Sequence, residues 1–124
     1  MIKKIFIIFL LFFCISANAI EKKDNFSIEM LEKAQASGKT IVINSYEIWC
    51  GTCSAQTKVL NQAKKEFKEI VFLSYEQSKN KDIAQKLGIK YRTTIVVYKG
   101  NNEVSRIIGQ TDKATIYSTI KKGI

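Results

Sequence analysis

A strand-like run, a pair of cysteines and a helix-like run follow one another directly in the middle of the chain. The β-branched run at 40–43 predicts a buried strand, and the stretch 54–67 predicts an amphipathic helix. Cys50 and Cys53 lie between them, at a predicted strand-to-helix turn. Unpaired N–H groups at a helix N-terminus favour an anion and lower the pKa of a thiol. The spacing therefore indicates a chemically active pair and not a structural crosslink.

Helix and strand signals alternate along the rest of the chain. Ser27 is the predicted N-cap of a first helix, with Phe26 stapled onto Leu31, and Gly38 ends it. Gly88 closes a short helix that begins near residue 83. Further strands are predicted at 40–46, 70–73, 94–98 and 104–108, with a hairpin turn at 99–102. The order α-β-α-β-α-β-β-α predicts an α/β fold with a mixed sheet and helices on both faces.

For two of these helices, the sequence also predicts which residues face the core or cap the helix. For the helix at 54–67, one apolar face is expected to contain Ala55, Val59, Ala63 and Phe67. For the last helix, Thr111 is the expected N-cap, with Tyr117, Ile120 and Ile124 facing the core.

The N-terminus has the three parts of an export signal. Residues 1–4 carry two lysines, residues 5–15 are apolar, and Ala17-Asn18-Ala19 matches a cleavage site. The apolar part is shorter than the roughly 20 residues that span a bilayer. We predict a signal peptide over 1–19, cleaved after Ala19, a domain over 20–124 and a periplasmic location; a retained membrane anchor is the alternative. Cleavage removes Cys14 and leaves one cysteine pair in an oxidising compartment.

The chain is basic, with a formal net charge of +9. Such a charge can attract anionic lipid or acidic partners. However, Lys, Ile and Asn all have A/T-rich codons, and the lysines are scattered over predicted helix faces and ends. No basic stripe is interleaved with aromatic residues, so nucleic-acid binding is disfavoured.

The run from Tyr46 to Cys53, with Trp49 directly before the first cysteine, resembles the active-site segment of the thioredoxin superfamily. Supporting matches are Gly88-Ile89, the strand at 95–98 with its Lys99-Gly100 turn, and Gly109. The resemblance extends from about residue 26 to the C-terminus. It implies a thioredoxin fold, with a central mixed β-sheet flanked by helices, and protein-disulfide oxidoreductase activity without a cofactor.

The resemblance also assigns roles around the pair. Cys50 would be the exposed nucleophile and Cys53 the buried resolving thiol. Trp49 would be an apolar platform beside them, an ordinary role for a half-buried Trp. Gly51 and Thr52 are small enough to let a partner chain approach. The implied partners are proteins with cysteines or disulfides and a membrane redox protein, and the chain would be a monomer.

Three positions depart from the family pattern. Thr93 replaces the proline of the loop that faces the cysteines, and we predict a trans Arg92–Thr93 bond, because a non-proline cis bond costs about 2.5–4 kcal/mol. The loop would offer backbone groups to a substrate strand. Arg92 would either favour the Cys50 thiolate or point into solvent.

The third departure is the buried acid of the family, which aligns with Asn44, and its lysine partner, which aligns with Phe72. Glu47 would replace the acid as a general base acting through water, or would simply be solvated. Thr52 also stands where dedicated reductants have proline. Together these departures favour an oxidising or intermediate redox poise over a reducing one.

Two other functions are compatible with a lone cysteine pair. The first is a metal or iron–sulfur binding module, which loss of the loop proline favours. Zinc needs four ligands, so the site would need carboxylates or a Cys₄ dimer, because the predicted mature chain has two cysteines and no histidine. The second is a structural disulfide, but so short a loop adds little stability.

Overall fold

A computed structural model describes Lys22 and residues 24–124. The predicted signal peptide, residues 1–19, lies outside the described residues. Within them the element order is the predicted one, and the bounds are α1 (Ile28–Ala36), β1 (Thr40–Tyr46), α2 (Gly51–Glu66), β2 (Val71–Glu76), α3 (Lys81–Leu87), β3 (Thr94–Lys99), β4 (Asn102–Ile108) and α4 (Lys113–Lys121).

The strands form one mixed sheet in the order β2-β1-β3-β4. β1 is parallel to β2 and antiparallel to β3, and β3 is antiparallel to β4. Every residue of β1 is buried, as expected of a central strand covered on both faces. Because β1 and β3 are antiparallel, the end of β1 lies beside the start of β3. This register brings the loop before α2 next to the loop before Thr94.

Two apolar cores lie on opposite faces of the sheet, which confirms the predicted helices on both faces. Alternate residues of β1 point to different cores, with Ile41 and Ile43 in one and Val42 in the other. Helices α1 and α3 supply the first core with Leu31, Ala34, Ile83, Ala84 and Leu87. Helices α2 and α4 supply the second with Leu60, Ala63, Ile116, Tyr117 and Ile120.

The ends of α1 and α3 follow the sequence closely, and the start of α4 differs by one residue. The side chain of Ser27 accepts a hydrogen bond from the Met30 N–H at 3.1 Å, so the predicted cap of α1 is confirmed. Gly38 and Gly88 have φ angles of 67° and 63°, in the left-handed region that favours glycine. The predicted cap of α4 was wrong by one residue, because the Asp112 carboxylate accepts from the N–H three residues later and Thr111 does not.

Helix α2 begins at Gly51, three residues before the predicted start, with Cys50 as its N-cap. Its buried residues are Cys53, Gln56, Thr57, Leu60 and Ala63. Ala55 is exposed, so that part of the predicted apolar face was wrong. The helix turns Cys53 inward. Gln56 and Thr57 lie on the same buried face, and because they are polar, the apolar periodicity of the sequence does not reveal that face.

Candidate active site

Cys50 and Cys53 form a disulfide, and their Cα atoms are 5.2 Å apart. The Cys50 sulfur accepts a hydrogen bond from the Cys53 N–H at 3.1 Å. Cys50 therefore caps α2 with its own side chain, as the predicted strand-to-helix turn requires. A hydrogen bond from a helix N-terminus stabilises sulfur most when it is a thiolate, so the site favours the reactive form.

Both cysteines are buried. Cys50 is 4% exposed and Cys53 is 1% exposed, so the expectation of an exposed Cys50 was wrong for the disulfide form. The two residues cluster with Tyr46 at the end of β1. The Thr93 hydroxyl covers both cysteines from the facing loop.

Thr93 contacts both sulfur atoms. Its Oγ1 lies 3.1 Å from the Cys53 sulfur and 3.6 Å from the Cys50 sulfur. Every described peptide bond is trans, which confirms the prediction for the Arg92–Thr93 bond. The position that carries proline in the family therefore supplies a hydroxyl to the redox pair in this chain.

The backbone of Thr93 is held in an uncommon conformation. Its φ angle is 61°, which is unfavourable for a β-branched residue and costs about 1–3 kcal/mol. Its N–H donates to the Ser45 carbonyl at 2.9 Å, and its carbonyl accepts from the Gly109 N–H at 2.8 Å. Both groups are thus unavailable to a substrate strand. The expectation that the loop offers its backbone was wrong at Thr93.

Gln56 ties the loop to the helix that carries the cysteines, a role that the sequence analysis missed. Its side-chain N–H groups donate to the carbonyls of Thr93 and Gln110, at 3.2 and 3.0 Å. The side chain is buried, and its Oε1 has no partner among the residues that the structure describes. The available sequence signal was a glutamine about one helical turn after Cys53, on the face of α2 that becomes buried.

Trp49 and Arg92 stack on each other beside the pair. The guanidinium carbon of Arg92 lies 4.6 Å from the indole centroid, a cation–π contact. Trp49 is 71% exposed, so it is not a half-buried platform. Arg92 is exposed, in agreement with the solvent-facing alternative, and it makes no hydrogen bond to Cys50 among the contacts of the described chain. Its effect on the Cys50 thiolate stays a prediction.

Glu47 is not solvated. It is buried, and its two carboxylate oxygens accept from the N–H and the hydroxyl of Ser78, at 2.7 and 2.9 Å. The parallel pairing of β1 and β2 places the loops that follow them side by side. The Glu47 carboxylate therefore accepts hydrogen bonds from the turn after β2. The solvated alternative was therefore wrong, and the role as a general base stays a prediction.

Lys22 fastens the N-terminal segment to the active-site loop. Its ammonium donates to the carbonyls of Glu47, Ile48 and Cys50, at 3.0, 2.9 and 2.7 Å. Burial lowers the pKa of this lysine. No local sequence signal marks the contact, because its partners are 25 to 28 residues away.

A shallow groove opens beside the cysteines. Gly51 and Thr52 are exposed at the start of α2, and a side chain added at Gly51 would meet no atom within 4 Å. The groove is lined by Thr52, Tyr91, Arg92, Thr93, Ile108 and Gly109. Tyr91 and Ile108 in this lining are large and exposed, and so is Trp49, which stacks on the lining residue Arg92. This surface suits an apolar peptide segment.

Across Lys22 and residues 24–124, no three His, Cys, Asp or Glu side chains come together as potential metal ligands. The geometry therefore adds no ligand to the cysteine pair for the metal-binding alternative, which stays a prediction.

No helix in the described part of the chain is long and apolar enough to cross a membrane.

Comparison with known proteins identifies the class. The sequence model of the Thioredoxin family matches residues 18–122. Thioredoxin H-type from Fagopyrum esculentum is 33% identical over 81 residues, covering 65% of this chain and 70% of that protein. Thioredoxin H-type from Oryza sativa subsp. indica is 29% identical over 106 residues, covering 86% and 85%.

Solved structures agree with this assignment. Fasciola hepatica thioredoxin superposes with a TM-score of 0.68 at 27% identity, covering 76% of this chain and 91% of that one. The fold is also that of Trxlp from Edwardsiella tarda EIB202, with a TM-score of 0.73 at 23% identity over 77% and 94%. The chain belongs to the thioredoxin family and has the thioredoxin fold. It is a protein-disulfide oxidoreductase with its C-x-x-C cysteines at disulfide distance.

Proposed function

We propose that the protein is a periplasmic thiol–disulfide oxidoreductase that exchanges disulfides with client proteins, with Cys50 as nucleophile and Cys53 as resolving thiol. The observation that carries this order is the helix N-cap. The Cys50 sulfur accepts the Cys53 N–H, so Cys50 is the cysteine whose thiolate the helix stabilises.

The exchange follows from that order. In the reducing direction, the Cys50 thiolate attacks a client disulfide and forms a mixed disulfide, and one client sulfur leaves as thiolate. The Cys53 thiol then loses its proton and attacks the Cys50 sulfur, which releases the second client thiolate and closes the internal disulfide. The oxidising direction runs the same steps backwards.

The apolar groove supports a peptide client. The groove includes Thr93, which contacts both sulfur atoms, and the exposed side chains of Tyr91 and Ile108, so a client segment can cover apolar surface while its sulfur approaches Cys50. Within the facing loop, Tyr91 and Thr93 have their carbonyls occupied by other residues. The backbone of Arg92 makes no hydrogen bond to a described residue, so strand-like pairing with a client would use that residue.

We propose an intermediate to oxidising poise for the pair. The reduced form gains from the N–H donor at the helix start and from the Thr93 hydroxyl. Stabilising the reduced form makes a dithiol couple more oxidising. Asn44 stands at the position of the family's buried acid. The chain therefore lacks the carboxylate that would speed deprotonation of the resolving thiol.

A reduction-potential measurement tests this poise. Equilibration with glutathione buffers of known ratio should give a value clearly above the roughly −270 mV of thioredoxin. Cys53→Ser serves as the blank, because it cannot close the internal disulfide. A value at or below that of thioredoxin would contradict the proposed poise and leave a reductant as the function.

The proposed location rests on the N-terminal pattern. Two lysines, an apolar run and Ala17-Asn18-Ala19 precede the domain, and the family match begins at residue 18. We further propose that the protein acts as a monomer and exchanges electrons with a membrane redox protein. Cell fractionation should recover it in the periplasm, and N-terminal sequencing should begin at Ile20. An intact N-terminus in the membrane fraction would favour a retained anchor instead.

A further inference from the structure

A polar cleft lies between α2 and the end of β1, next to the cluster that holds the cysteines. Its volume is about 130 Å³. One water needs about 10–15 Å³, so the cleft has room for a small polyatomic group. Tyr46 lines it and also packs against the two cysteines. The cleft itself contains no cysteine.

Two buried polar side chains face this cleft without a partner. Asn44 is 8% exposed and Thr57 is 9% exposed. Neither side chain makes a hydrogen bond to any residue of the described chain. Burying an amide or a hydroxyl is unfavourable unless it is hydrogen-bonded. The polar atoms of Asn44 and Thr57 keep access to the cleft, since neither residue is among those with a fully buried polar atom that lacks a partner. Both side chains are therefore free to accept from or donate to a group in the cleft.

The face of α2 that lines the cleft carries further free donors. Thr57, Asn61 and Lys64 have the spacing i, i+4, i+7, which aligns them along one face. The side chains of Asn61 and Lys64 also make no hydrogen bond or ion pair with a described residue. The cleft thus gathers two amides, a hydroxyl and an ammonium that are all available to a ligand.

The lining of the cleft carries positive charge only, although the Asp24 carboxylate accepts a hydrogen bond at 2.7 Å from the hydroxyl of Tyr46, one of the lining residues. Lys22 and Lys64 line it, and none of its described lining residues is Asp or Glu. The ammonium of Lys22 already donates to three carbonyls, whereas that of Lys64 is free. The Lys64 side chain is exposed, and partial loss of water around it lowers the pKa of its ammonium.

We propose that the cleft binds a carboxylate, held by the Lys64 ammonium and by the Asn44 and Asn61 amides. One free ammonium matches a single negative charge, and the neutral donors suit the two oxygens of a carboxylate. A phosphate would call for more cationic groups or for a helix N-terminus, whereas this cleft lies along the middle of α2. The carboxylate comes either from a small free acid or from an acidic side chain of a bound peptide.

Side-chain amide NMR of the oxidised protein tests the site directly. Sodium acetate and inorganic phosphate are titrated at constant ionic strength while the Asn44 and Asn61 amide signals are followed. We expect saturable shifts with acetate, and Lys64→Gln should weaken its binding about tenfold. The matched control is Lys65→Gln, which removes the same charge from an exposed neighbour outside the cleft and should change binding less than twofold.

The other outcomes overturn the proposal. A shift that never saturates, or equal weakening by both lysine variants, would show nonspecific charge effects and no site. Saturable binding of phosphate without acetate would contradict the choice of carboxylate.

A peptide pair separates the two sources. A capped peptide with a single Glu is compared with its Gln counterpart by the same amide signals. If the Glu peptide binds more tightly than acetate, the site recognises client side chains. If acetate binds and the Glu peptide does not, the site recognises a free acid. Equal shifts with both peptides would contradict carboxylate recognition.

Discussion

Cys50→Ser is expected to abolish disulfide exchange, because it removes the sulfur that caps α2 and accepts the helix N–H. The loss should be at least about 10³-fold in turnover of a protein disulfide such as that of insulin, on the scale seen when enzymes lose their nucleophile. Cys53→Ser should instead stop the reaction after its first step. A mixed disulfide between Cys50 and the client should then accumulate and be visible on a non-reducing gel.

Cys14→Ser is the matched control for these variants. It makes the same change within the predicted signal peptide, and activity of the mature protein should not change. A mixed disulfide trapped by Cys50→Ser and not by Cys53→Ser would reverse the two proposed roles. Full turnover by either variant would contradict the exchange chemistry itself.

Thr93→Val should make the redox pair more reducing. Valine keeps the β-branched shape but lacks the hydroxyl that lies 3.1 Å from the Cys53 sulfur and 3.6 Å from that of Cys50. A hydrogen bond to a charged group contributes about 1.5–3 kcal/mol. Its loss should raise the pKa of the reactive thiol by about one unit or more and lower the reduction potential by at least about 30 mV.

The direction follows from which form the hydroxyl stabilises. It can donate to a thiolate, so its removal disfavours the reduced form and favours the disulfide. Thiol titration by ultraviolet absorbance and equilibration with glutathione measure the two shifts. Thr93→Ser is the control, because it keeps the hydroxyl and should stay close to the unmodified protein. Equal values for the valine and serine variants would show that the hydroxyl does not act on the sulfurs.

The fold could be predicted because its signals are local. The β-branched run at 40–43 indicated a strand that the structure buries completely, and Gly38 and Gly88 marked helix ends through a conformation that glycine favours. Cys50 could be placed at a helix start for the same reason. Each of these inferences depends on neighbours in sequence, which the chain itself supplies.

The details of the site depend on contacts between distant residues. Gln56 and Thr93 are 37 positions apart, and Glu47 and Ser78 are 31 apart. Spacing and periodicity carry no information about such pairs, so Glu47 was given a chemical role and Gln56 none. The family resemblance marked Thr93 as the residue at the proline position, but its hydroxyl contact with both sulfurs depends on how the loop folds against α2.

The hold of Lys22 on the active-site loop makes maturation of the N-terminus relevant to the chemistry. If cleavage follows Ala19, this lysine is the third residue of the mature chain, and its ammonium touches the carbonyl of Cys50. Trimming by an aminopeptidase would then alter the loop around the nucleophile without removing any residue of a helix or strand. An affinity tag for redox measurements therefore belongs at the C-terminus, where Ile124 is exposed.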